Sequence, residues 1–111
     1  MKVKELAEKL NLEVVAGSSG LDREITWAYM SDLLSDVMGN SREGHLWITM
    51  QTHINVVAVA TLKDHSAVVM VSGNRPPDEV AGKADEEGMP LMCTDEPAFD
   101  IAGKIFLLLN R

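Results

Sequence analysis

The chain has 111 residues, 46% of them apolar and 24% charged, which suits one globular domain with one core and excludes disorder. Seventeen acidic residues against ten basic ones leave a formal charge of −7, which disfavours nucleic acid and anionic membrane surfaces as partners. No apolar run approaches the ~20 residues of a membrane span, no signal-peptide core follows Met1, and Cys93 has no second cysteine for an intrachain disulfide, so a cytoplasmic domain is expected.

In chain order, Val3, Leu6, Ala7 and Leu10 recur at helical spacing and predict a first helix that stops near Asn11. Leu12 to Val15 reads as a short strand, Gly17-Ser18-Ser19-Gly20 as a loop, and Ile25 to Met30 as a second strand rich in β-branched and aromatic residues. Ser31 is placed to cap a helix over Asp32 to Met38 that Gly39-Asn40 ends. His45 to Met50 predicts a third strand. Ile54 to Leu62 fits either a strand or a helix that is apolar nearly all round. Its position between two buried strands favours the helix, because parallel strands need a crossover.

Ala67 to Val71 is an unbroken apolar run, as expected of a strand covered on both faces. Ser72-Gly73-Asn74 then supplies turn residues. Pro76, Pro77, Asp78 and Glu79 open a helix that runs from Pro77 to Glu87 and that Gly88 ends. Pro90 to Cys93 predicts a last strand. Thr94 or Asp95 is placed to cap a final helix, with Pro97 in its first turn and a buried stripe of Ala98, Ile101, Ala102, Ile105, Leu108 and Leu109. This alternation predicts a single α/β domain over residues 1–111, a largely parallel sheet flanked by helices.

Two stretches carry a family resemblance. Leu12-Glu13-Val14-Val15-Ala16-Gly17, followed by Gly20 to Thr26, resembles the start of the amino-terminal domain of bacterial HPr kinase/phosphorylases. The block from Leu46 through Val71-Ser72-Gly73 to Gly88-Met89-Pro90-Leu91 and Ile101 resembles the DRTGG domain, which is related to it in fold. The resemblance implies a fold like that of the HPr kinase amino-terminal domain. It also implies a regulatory role, since such domains accompany phosphate acetyltransferases and CBS-domain proteins or stand alone. Where the family has Gly-Asp-Arg this chain has Met50-Gln51-Thr52, and where it has Thr-Gly-Gly this chain has Ser72-Gly73-Asn74. No Gly-x-x-x-x-Gly-Lys-[Ser/Thr] loop is present, so the kinase's phosphoryl-transfer machinery is not expected.

Ligands of open α/β sheets bind where strand ends meet helix starts. The candidate binding residues are therefore Gln51, Thr52, Ser72, Gly73, Asn74 and Arg75, at the ends of two successive strands. A structural turn is the competing reading of Ser72 to Arg75, because Pro76 and Pro77 lack N–H donors and Asp78 and Glu79 repel an anion. His45, His53 and His65 have no metal-ligand spacing, and no metal, cofactor or catalytic constellation is expected. Cys93 reads as a core thiol, and the methionines, Met30, Met38, Met50 and Met70 among them, as mostly core filler.

These readings predict a non-catalytic regulatory or ligand-sensing module, binding a nucleotide or another small metabolite and acting with a separate enzyme. The alternative is a protein-interaction or dimerisation domain with no small ligand. A two-fold homodimer is expected through Ile54 to Ala60, whose helix has little polar surface beyond Asn55, with Val56 or Val59 facing outward.

Overall fold

The computed structural model describes residues 1–110. Helix α1 (Val3–Lys9) buries Val3, Leu6 and Ala7, the stripe that its periodicity marks. It is followed by β1 (Glu13–Ala16), a 3-10 turn (Ser18–Gly20), β2 (Trp27–Met30), α2 (Leu34–Asn40), β3 (His45–Thr49) and α3 (Asn55–Leu62). The chain continues through β4 (Ala67–Met70), α4 (Asp78–Glu87), β5 (Leu91–Cys93) and α5 (Ala98–Leu109). No helix is long and apolar enough to cross a membrane among the described residues.

The five strands form one sheet in the order β1-β5-β4-β3-β2. Strands β2 to β5 run parallel, each joined to the next by one helix, and β1 lies antiparallel against β5 at the far edge. The alternation of side chains divides the core into two layers. Leu46, Ile48, Val69 and Met92 pack on one face beneath Leu6 of α1 and Ile101 and Ile105 of α5. Trp47, Val68, Met70 and Leu91 pack on the other beneath Val37, Val56, Val57, Ala60, Val80 and Ala84 of α2, α3 and α4. Every residue of β4 is buried, which accounts for its unbroken apolar run.

Four expectations need correction. Helix α2 starts at Leu34 rather than Asp32, and it runs on through Asn40, whose side-chain amide donates to Asp36 at 2.9 Å. The Asp32 carboxylate is drawn out of the helix by the end of β3, where one oxygen accepts from Thr49 Oγ1 and the Met50 N–H, both at 2.7 Å. Pro97 occupies the N-cap of α5, while Thr94 Oγ1 closes the preceding turn by accepting the Glu96 N–H at 3.2 Å. In α3, Val56 is fully buried and Val59 half-buried, and the outer side shows Ile54, Ala58 and Leu62 instead. Met70 is core, but Met30, Met38 and Met50 are exposed.

Candidate functional site

The turn after β4 is built from two consecutive left-handed residues, Ser72 (φ 59°) and Gly73 (φ 78°). The Asn74 N–H donates back to Val71 O at 3.1 Å, the pattern of a type I′ turn. Its two central N–H groups point at the neighbouring loop: Ser72 donates to Glu96 O at 2.9 Å and Gly73 to Thr94 O at 3.0 Å. The Asn74 side-chain amide donates to Val71 O at 2.8 Å. Donors that would cradle an anion in a phosphate loop are thus consumed by protein carbonyls, and the turn clamps β4 to the loop after β5.

Gln51 and Thr52 lie at the same, carboxyl end of the sheet, as their strand predicts. The Gln51 side-chain amide donates to Asp32 O at 3.1 Å, toward the β2 edge. Arg75 turns the other way and pairs with Glu13 on β1, the opposite edge. The six expected residues thus follow the ends of β3 and β4, but Gln51 and Arg75 bond toward opposite edges of the sheet.

Arg75 enters an open cleft of about 610 Å³ beside the ends of β5 and α1. Lys9, Leu10, Asn11, Glu13, Cys93, Thr94, Asp95, Glu96 and Lys104 complete its lining. Three cations and three carboxylates meet there. Lys104 pairs with Glu96 and Arg75 with Glu13. Their hydrogen bond holds the Glu13 carboxyl below the usual carboxylate range and raises Arg75 above the usual guanidinium value. Sequence reasoning found only Arg75 of this cleft. Lys9, Glu13 and Lys104 come from elements that are distant in the chain, and only the antiparallel docking of β1 on β5 brings them together.

Two groups with catalytic chemistry are occupied structurally. Cys93 is 4% exposed, and burial pushes its thiol up, away from the thiolate that a nucleophile needs. Ser41 Oγ lies 2.8 Å from His65 Nε2, but Ser41 donates its own proton to Val37 O at 2.6 Å. The imidazole must therefore donate through Nε2–H. That leaves Nδ1 without a partner in a fully buried ring. Among the described residues no three His, Cys, Asp or Glu side chains gather as a metal site.

Burial lowers His65 from its ordinary 6.5 to about 4, with His45 and Lys63 acting in the same direction and Asp64 opposing them. The unfolded chain thus takes up this proton more readily than the native one. Stability is full above pH 6.5 and falls as the pH drops toward 4, by roughly 3 kcal/mol in all. Urea unfolding at a series of pH values should show this loss, and His65→Leu should flatten the curve above pH 5. A variant curve as steep as the native one would assign the acid sensitivity to the carboxylates.

The fold and cleft define a class: an open, mostly parallel α/β domain with charged groups gathered at the carboxyl end of its sheet. No family model and no curated sequence matches the chain. Solved structures do match, among them the CBS and DRTGG domains of the regulatory region of Clostridium perfringens pyrophosphatase, complexed with the activator diadenosine tetraphosphate. The TM-score is 0.71 at 13% identity, covering 96% of this chain and 46% of that chain. At this identity the likeness is one of fold, and the fold is DRTGG-like. This chain spans less than half the length of that regulatory region.

Proposed function

We propose that this chain is a non-catalytic regulatory module that senses a small metabolite, with nucleotides the first class to test, and acts with a separate enzyme. The observation that carries the reading is the cleft at the carboxyl ends of β4 and β5. There Lys9, Arg75 and Lys104 present exchangeable cations beside the hydroxyl of Thr94 and the amide of Asn11. A phosphate or carboxylate ligand would displace Glu13 from Arg75 and Glu96 from Lys104, exchanging one charge-assisted pair for another. Supporting a non-catalytic role, the thiol of Cys93 is raised and the Ser41–His65 pair is sealed in the core. The fold is shared with a regulatory region that was crystallised with a dinucleotide activator.

Thermal-shift titration with adenine nucleotides and other phosphorylated metabolites, preceded by native mass spectrometry for co-purified ligand, tests this reading. A ligand at 100 times its Kd adds about 2.7 kcal/mol of stability. Arg75→Ala should erase the shift. It should leave the melting of the unliganded protein close to the parent's, since the ion pair it removes is exposed to solvent. No shift with any nucleotide ends nucleotide sensing. A shift that survives Arg75→Ala moves the ligand out of this cleft.

A second reading, a self-association domain with no small ligand, is favoured by one observation: Phe99, Phe106 and Leu107 on α5 are 86%, 53% and 74% exposed.

A further inference from the structure

The geometry points to the outer flank of α5 as the surface on which a second copy of this chain docks, the two helices running antiparallel across a two-fold axis at Gly103. The inference takes up the self-association reading and does not depend on ligand sensing. Along α5, Ile101 and Ile105 face the core, while Phe99, Gly103, Phe106 and Leu107 fall at i, i+4, i+7 and i+8 on the opposite flank. An amphipathic surface helix should carry polar residues there. Only Asp100 and Lys104 do so, and they lie at the outer rim, with Lys104 already paired to Glu96. The apolar surface continues onto β2 through Phe106, whose ring meets Trp27 edge-on at 5.5 Å. Beside it a slot of about 160 Å³ lies between α5 and β2, with exposed Met30 on its wall.

Three features select a second copy over another partner. First, the pattern Phe99–Gly103–Leu107 is symmetric in spacing, so an antiparallel mate places its Leu107 against Phe99 and its Phe99 against Leu107, with glycine opposite glycine. Nothing lies within 4 Å of where a Cβ of Gly103 would project, as is also true of Gly82 on α4, so packing within one chain requires a glycine at neither; Gly103 differs in lying between Phe99 and Leu107 on an apolar flank. A glycine inside a helix costs about 0.5–1 kcal/mol relative to alanine, and close approach of a second helix is a physical reason to keep one. Second, two copies that each carry −7 dock most readily where acids are few, and Asp100 is the one acid of this helix. Third, at these exposures Phe99, Phe106, Leu107 and Met30 offer roughly 600 Å² per protomer, or about 1,200 Å² in a symmetric pair, the lower limit of a specific stable interface.

Sedimentation velocity over the micromolar range, with light scattering, tests the inference on the full chain without ligand. The unmodified protein is expected at twice the chain mass. Phe99→Asp and Leu107→Asp should weaken association at least about 100-fold, as loss of central anchors does. Gly103→Leu is the sharper variant. Leucine improves the helix and fills open space, so melting of the dilute monomer should not fall while dimerisation does. Leu62→Glu, on the exposed side of α3, should leave the dimer intact. A monomer at high micromolar concentration overturns the inference, as does a dimer indifferent to Phe99→Asp, or one that Leu62→Glu breaks instead.

Discussion

Val56→Glu should leave no folded protein under conditions where the unmodified chain is native. Val56 is fully buried on the inner side of α3, in a layer with Trp47, Val68 and Met70 that holds no buried cation. A carboxylate there must either stay charged without a partner or take up a proton and remain unsatisfied, and its extra length has no room. The combined penalty exceeds about 4 kcal/mol, a large fraction of the roughly 5–15 kcal/mol that a domain of this size commands. Loss of cooperative urea unfolding and of native circular dichroism would report it. Val56→Ala should cost only about 2 kcal/mol by leaving a small cavity. Leu62→Glu, on the same helix but 72% exposed, should fall within about 0.5 kcal/mol of the parent. A Val56→Glu protein that unfolds within 1 kcal/mol of the parent would mean that α3 does not pack as described.

The same helix shows where sequence and structure part. Its existence was legible because the strands before and after it need a crossover, and β3 and β4 do pair in parallel. Its facing was not. Valine and alanine on every side carry no polar marker of the outside, and the layer shared with α2 and α4 takes Val56, Val57 and Ala60 inward. Helix α5 was read correctly at Ile101 and Ile105 for the reason that makes it informative: a stripe can be found by its period even where the opposite flank is also apolar.

The site divides along the same line. Gln51 and Ser72 to Arg75 do follow the carboxyl ends of β3 and β4, because strand ends of a parallel sheet share a side, which is a local inference. Which way each side chain turns depends on partners that spacing cannot predict: Asp32 for Gln51, and Glu13, 62 residues upstream, for Arg75. Asp32 itself was assigned to a helix start because Ser31-Asp32 is good capping chemistry. The end of β3 offers its carboxylate two donors at once and wins.

Gly17→Ala carries the second large effect, and it explains a motif that the sequence marks without giving a reason. Gly17 follows β1 where the pairing with β5 slips register, between Val14 and Ala16, and the chain folds down over the segment Gly88-Met89-Pro90. A Cβ at Gly17 would lie 1.9 Å from Met89 O, 2.2 Å from Met89 C and 2.6 Å from Pro90 N, all main-chain atoms that no rotamer change can move. Its φ of 74° adds the left-handed strain of any side chain. Three residues on, a Cβ at Gly20 would stand 2.2 Å from Gly88 O, so both ends of Gly17-Ser18-Ser19-Gly20 are backbone lying on backbone. The loop cannot simply lift away, because the Gly17 N–H is held by Asp85 Oδ1 at 2.7 Å and the release of β1 would open the edge of the sheet. Clash and strain together should cost about 3 kcal/mol or more. Gly82→Ala, on α4 with nothing within 4 Å of its Cβ position, is the matched control and should gain up to about 1 kcal/mol. If urea midpoints place Gly17→Ala within about 1 kcal/mol of the parent, the contact is soft and the glycine is there for another reason.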